Sequence, residues 1–364
     1  MIRLIKPDIT FSDVENDFKI VFESGMFTKG SYIKQFSQAL CDYTGAGFCH
    51  FTTSATTALS MCLKVLDIKP GDEVLLSDFS FPATVNVIED LYAYPVFVDV
   101  DPDTYNMKAD DFEKKITKKT KAVIFVDAFG NPSGIHVIKS ICQKYGIPLI
   151  EDAACGLGSS EDNRKCGNIA DLTCFSFHPR KLLTTGEGGA ILTNNKEYKK
   201  ILDVKLEHGG IAQDGKIDFV DVGYNYRLPE LQAVMGLRQL QKLDEVIKIR
   251  QAIRDKYIKN LSDFGFVQQK INENVSHNVQ SVVFRVPLDI KRDDLIKHLK
   301  EEGIETTIGT YCLSNCTYYR KKYNNVQPIA KMLYDTTITL PCYSGIDVDF
   351  VTEEIKSYNV GEVK

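Results

Sequence analysis

The chemistry in this sequence starts at Lys181. It closes the run Ser176-Phe177-His178-Pro179-Arg180-Lys181, and the glycine-rich turn Gly186-Glu187-Gly188-Gly189 and an apolar strand from Ala190 to Thr193 follow it. Alone, a lysine is most often a solvated surface charge, and a glycine cluster marks a turn. A second segment, Ile150-Glu151-Asp152-Ala153-Ala154, sets a carboxylate just past an apolar strand, 29 residues before Lys181. A third, Thr53-Ser54-Ala55-Thr56-Thr57-Ala58-Leu59, runs small and hydroxylated residues straight into a helix. The free N–H groups and the positive dipole end of such a helix attract an anion. A fourth, Phe79-Ser80-Phe81-Pro82-Ala83-Thr84, places aromatic rings after a strand, where a ring either stacks on a flat ligand or packs in the core.

An amine for a Schiff base and a carboxylate for a pyridinium nitrogen are what pyridoxal phosphate requires of a protein, and a helix start can take its phosphate. Each segment also has a plain structural reading. Asp152 would be an N-cap for a helix at Ala153-Ala154, and Thr53 to Thr57 would be another N-cap.

The elements that must position these groups alternate. Val74-Leu75-Leu76 reads as a strand after the turn Lys69-Pro70-Gly71-Asp72, followed by Val96 to Val98, Ala122 to Val126 and Pro148 to Glu151. Helical stretches such as Ala58 to Leu66 and Ile135 to Tyr145 lie between them. Apolar strands alternating with helices predict a mostly parallel sheet covered on both faces. Ligands of such sheets bind at the carboxyl ends of the strands, which puts Ser77 to Phe81, Asp127 and Asp152 on one rim. Pro229 opens a long helical pattern to about Leu261, after which strand Ser281 to Val286 and helix Arg292 to Glu302 predict a second, smaller α/β domain.

Composition excludes several classes. The chain has 364 residues, a net charge of −5 and 43% hydrophobic residues, an ordinary globular make-up. No basic stretch suggests a nucleic-acid partner, and no apolar run suggests a membrane span. The start, Met1 to Phe11, lacks the apolar core of a signal peptide, so a cytoplasmic location is expected. Neither G-x-G-x-x-G nor G-x-x-x-x-G-K-[ST] occurs, against dehydrogenase and kinase readings. The 10 cysteines include no C-x-x-C pair, and Cys312 and Cys316 lack a second ligand pair, so no metal site is expected.

Taken in order, these segments resemble the DegT/DnrJ family of pyridoxal-phosphate sugar aminotransferases, of the aspartate aminotransferase fold (fold type I). The likeness runs nearly end to end. It also takes in Ser24-Gly25-Met26-Phe27-Thr28-Lys29-Gly30, Pro95-Val96-Phe97-Val98-Asp99-Val100-Asp101-Pro102 and Gly223-Tyr224-Asn225-Tyr226-Arg227-Leu228. The resemblance implies a seven-stranded, mostly parallel sheet in a large cofactor-binding domain, residues 1–240, with a smaller C-terminal α/β domain, 241–364, against which the first ~20 residues can pack. By position, Lys181 matches the Schiff-base lysine and Asp152 the pyridinium partner. Thr56, Thr57 and Ser176 match phosphate contacts, and Phe81 matches the aromatic on the ring. Asn225 matches a phosphate contact donated from a second subunit, which implies a homodimer with shared sites. Glu187 and Tyr311 are the expected substrate contacts. Cys155 stands where the family usually has Gln or His near the cofactor's phenolic oxygen, and Asp127 where it often has His.

The implied activity moves an amino group from L-glutamate, through the pyridoxal and pyridoxamine phosphate forms, to a keto sugar, nucleotide-linked. Alternatives are a keto-cyclitol or small phosphorylated ketone as acceptor, or a non-catalytic regulator on the same fold. Related dehydratases carry His in place of the lysine, so Lys181 favours amino transfer.

Overall fold

The computed structural model describes residues 1–213 and 215–361. Seven strands form the central sheet: β1 (Phe48–Thr52), β2 (Glu73–Ser77), β3 (Tyr94–Val98), β4 (Thr120–Val126), β5 (Leu149–Asp152), β6 (Leu172–Ser176) and β7 (Gly189–Thr193). Their spatial order is β3-β2-β4-β5-β6-β7-β1. All neighbouring pairs are parallel except those of β7, which runs antiparallel to both β6 and β1. The expected seven-stranded, mostly parallel sheet is therefore present.

Near-continuous apolar strands fit a sheet buried on both sides. On one face Leu76, Ile124 and Ile150 pack with Ala58, Leu59, Met61 and Cys62 of helix Ala55–Val65. On the other, Leu75, Val123, Phe125 and Leu149 pack with Ile135, Ile138 and Cys142 of helix Ile135–Tyr145. The parallel strands β2, β4 and β5 all end on one rim, and Asp78, Asp127 and Asp152 stand there.

A second sheet is four-stranded and antiparallel. It comprises β8 (Val267–Gln268), β9 (Val282–Arg285), β10 (Thr307–Ile308) and β11 (Thr337–Leu340), in the order β8-β9-β11-β10. Tyr257, Phe284, Leu295, Ile338 and Val351 form its core. Ile2 pairs with Ile304, so the start of the chain joins this unit. A short ribbon, Phe79–Ser80 against Tyr311–Cys312, ties the rim of the central sheet to the later part of the chain.

Two features differ from the sequence reading. The helix from Pro229 to Leu261 is two helices, Glu230–Leu240 and Leu243–Leu261, with Gln241 and Lys242 between them. Apolar spacing continues across the break, which hides it from a periodicity argument. The hairpin of Gly210–Gln213 and Lys216–Phe219 was not anticipated, and it leaves Ile217 and Phe219 exposed.

Glu230 has a long-range task. Its buried carboxylate accepts the N–H groups of Gly30 (2.7 Å), Tyr32 (2.9 Å) and Ile33 (3.1 Å). These open helix Ser31–Thr44, so an anion satisfies free donors and faces the positive dipole end. Among the described residues, no helix is long and apolar enough to cross a membrane.

Candidate active site

Lys181 lies in the loop between β6 and β7, half-buried, with its Nζ 3.2 Å from Cys155 Sγ. The loop is closed at its base by Phe177 N–H to the Gly188 carbonyl and Thr185 N–H to the Phe177 carbonyl, both 2.9 Å. Asp152 ends β5 and is buried. Its Oδ1 accepts the Ala154 N–H at 3.2 Å, but residues 154–158 form turns, so the carboxylate caps no helix. Burial pushes its pKa up to about 6, against the opposing pull of the Ala154 N–H and of the Lys181 charge. A buried carboxylate at this cost is placed to face a cation.

The anion site is built by close approach. In register, Ser176 pairs with Gly189, and Gly189 with Thr52. A Cβ at Gly189 would stand 2.5 Å from the Ser54 carbonyl carbon and 2.8 Å from the Ala55 nitrogen. Only glycine lets the start of helix Ala55–Val65 lie this close to β7, beside Ser176. Ser54 is the N-cap: its Oγ accepts the Thr57 N–H at 3.1 Å, and the Thr57 hydroxyl answers with an acceptor for the Ser54 N–H at 3.0 Å. The Thr57 hydroxyl is thus engaged in the cap, while Thr56 is exposed.

Phe81 is 64% exposed, unlike buried Phe79, and meets Tyr311 edge to face at 6.2 Å between centroids. The Ser80–Tyr311 pairing of the ribbon brings them together. Glu187 lies in the Lys181 loop, its side chain exposed and 4.0 Å from His178 Nε2. Asn225 is exposed in the irregular stretch after the hairpin. Among the described residues, no hydrogen bond links it to the Lys181 loop of its own chain.

Sequence reasoning missed two residues that hold the centre. Gln280 Oε1 accepts the Leu182 N–H at 2.9 Å and its Nε2 donates to the Arg180 carbonyl at 2.7 Å, gripping the chain on both sides of Lys181. Asn278 Nδ2 donates to the Cys155 and Leu157 carbonyls at 2.7 and 2.8 Å. Polar residues beside a strand carry no local signal of such long-range bonds.

The donor set fits pyridoxal phosphate: a lysine amine, a buried carboxylate with its proton affinity raised, and a glycine-permitted helix start beside a serine hydroxyl. Comparison with known proteins agrees. Residues 10–357 match the model of the DegT/DnrJ/EryC1/StrS aminotransferase family. The chain is 31% identical to the GDP-perosamine synthase of Escherichia coli O157:H7 over 361 residues, 98% of each protein. It is 35% identical to the UDP-2-acetamido-2-deoxy-3-oxo-D-glucuronate aminotransferase of Pseudomonas aeruginosa over 290 residues, 79% of each. Among solved structures, the aminotransferase TlmJ from Streptoalloteichus hindustanus superposes with a TM-score of 0.93 at 27% identity over all of both chains. Spr1654 of Streptococcus pneumoniae, in its PMP form, gives 0.91 at 28% identity over 98% of each, and has also been solved in its PLP form. The chain belongs to the DegT/DnrJ/EryC1/StrS aminotransferase family and is a pyridoxal-phosphate-dependent aminotransferase.

Proposed function

We propose that this enzyme transfers an amino group from L-glutamate to a ketone on a nucleotide-linked sugar. The observation that carries the reading is the meeting of Lys181, Asp152 and the Ser54–Ser176 anion site at one end of the sheet. The substrate class is supported by the names of the GDP- and UDP-sugar relatives.

Pyridoxal phosphate, when bound, supplies the electron sink that stabilises charge on the reacting substrate carbon. Lys181 Nζ anchors it and, once released, is the base that takes a proton from the donor carbon and later returns one to the acceptor carbon. Asp152 keeps a proton on the ring nitrogen, since a cation opposite restores its own charge in a buried setting. The N–H groups at the start of helix Ala55–Val65, with the Thr56 and Ser176 hydroxyls, receive the phosphate. Cys155, beside Lys181 Nζ, would stand near the cofactor's phenolic oxygen, and the exposed Phe81 would cover its ring. Tyr311 and Glu187 line the approach for substrate.

The chain divides in this reading into a cofactor domain, 1–240, and a smaller domain, 241–364. The helix break at Gln241–Lys242 and the separate core around Tyr257 support that boundary. A second copy completes each site with its Asn225. The exposed Ile217, Phe219 and Val222 just before Asn225 support such an interface.

The test is a half-reaction of the purified, cofactor-loaded protein with L-glutamate, followed by a screen of nucleotide keto sugars with product mass recorded. An increase of one amino group for one keto oxygen on a nucleotide sugar is expected. Amination confined to a keto-cyclitol or a small phosphorylated ketone would overturn the substrate assignment.

A further inference from the structure

Below Asp152 lies a buried cluster that the reaction scheme does not use. Asp127, Glu151 and Cys166 are all buried, and one ligand-type atom of each lies within 4.8 Å of the others. Among the described residues, neither Asp127 oxygen nor Glu151 Oε1 has a hydrogen-bond partner of normal geometry, and the Cys166 thiol, a weak donor, is the one group beside both residues. Glu151 Oε2, by contrast, accepts the Thr173 hydroxyl at 2.7 Å and the Gly167 N–H at 3.1 Å. Glu151 therefore has two strong donors that support a charge, and Asp127 has only the weak Cys166 thiol.

Two ionised carboxylates this close in a buried setting repel strongly. A single proton removes the repulsion and supplies partners to orphaned atoms of both residues. We propose that Asp127 is a neutral carboxylic acid donating its proton to Glu151 Oε1, and that it positions the turn bearing Asp152 and Cys155 without setting a second charge beside Asp152. The groups acting most on Asp127 agree: burial first, then Glu151, push its pKa well above the usual range, with Asp152 and Cys155 adding to the push and Cys166 opposing it.

The positioning is visible in the backbone. The Asp127 N–H donates to the Asp152 carbonyl at 3.1 Å. Its carboxyl group fills the underside of the following turn, where a Cβ at Gly156 would stand 2.3 Å from Asp127 Oδ2. The proton sharing is independent of the role of Asp152. The effect on Asp152 rests on the function proposed above, and the two parts are tested separately.

The first measurement is infrared difference spectroscopy of apoprotein at neutral pH, wild type against Asp127→Asn. A protonated-carboxyl band present in the wild type and absent from Asp127→Asn is the expected result. Absence of the band from the wild type, or its persistence in the variant, overturns the shared proton. So does a divalent ion found stoichiometrically in the purified protein. The second measurement is the pH titration of the bound cofactor's absorption. Asp127→Asn keeps a neutral donor and should leave the midpoint in place, whereas Asp127→Leu, which orphans Glu151 Oε1, should move it by about one pH unit or more. Equal midpoints in the two variants, or equal shifts, overturn the positioning role. If Asp127→Leu fails to fold, a displaced midpoint in Asp127→Asn alone does the same.

Discussion

Lys181 Nζ stands 3.2 Å from Cys155 Sγ, and a single short segment holds the loops that bring them together. Gln280 bonds the chain on either side of Lys181, and Asn278 bonds the Cys155 carbonyl. Gln280 N–H in turn donates to Asn278 Oδ1 at 2.9 Å. The segment leads into β9 of the second sheet, so the reactive amine of one sheet is steadied from the entrance to another.

Gln280→Ala should therefore lower kcat by about 10²-fold, the usual cost of displacing a reacting group by about 1 Å. Cofactor should still bind, because the anion site is untouched. Steady-state kinetics together with the cofactor absorption checks this, and an unchanged kcat in a folded variant would refute it.

Lys181→Ala should abolish turnover while leaving the far-ultraviolet dichroism of the protein unchanged. Asn225→Ala should weaken cofactor binding by about 1–3 kcal/mol, the range for one lost buried partner. In a mixed dimer with shared sites, both lesions fall on the same site and leave the other whole. Mixed subunits should then regain part of the activity, since one site of each heterodimer is intact. No regain despite demonstrated subunit exchange counts against shared sites.

Asp152→Asn should cut the half-reaction rate by about 10²-fold or more, as for a main electrostatic contact. It should also change the stability of the apoprotein with pH. Folded Asp152 releases its proton at about 6 against 3.8 for a free side chain. The folded state thus holds more protons between these values, and the wild type loses stability as pH rises through them. The loss is on the order of 3 kcal/mol. Urea midpoints of wild type and Asp152→Asn, measured from pH 4 to 7, should diverge in favour of the variant as pH rises. Parallel curves would exclude the effect.

Gly189→Ala places a methyl group 2.5 Å from the Ser54 carbonyl carbon. Backbone must yield, so destabilisation of about 1–3 kcal/mol is expected, with a larger relative loss in cofactor affinity. Calorimetry and cofactor titration separate the two. Wild-type affinity in this variant would mean that the helix start does not form the anion site.

The sheet, its helices and the residues at its rim were legible because local pattern carries them. Helix Ile135–Tyr145 was read to both ends, with Gly134 and Gly146 flanking it, and a cap was expected within Thr53 to Thr57, where Ser54 supplies it. What was not legible depends on distance. Gln280 lies about 100 residues from the loop it grips, and nothing near it in sequence shows that contact. Asp127 and Glu151 are 24 residues apart, and their closeness follows only once β4 and β5 pair. Phe79 and Phe81 could not be separated by composition. Strand alternation would put both on one face, but the strand ends at Ser80, and Phe81 lies just past it, in the open against Tyr311.

Glu230 sets an order of events in synthesis. The carboxylate that caps helix Ser31–Thr44 lies 200 residues downstream of Gly30. At about 5–20 residues per second on a ribosome, that helix waits roughly 10–40 s for its cap. An early amphipathic helix thus stays loose until most of the chain exists, which delays closure of its layer of the core and leaves that surface to chaperones in the interval.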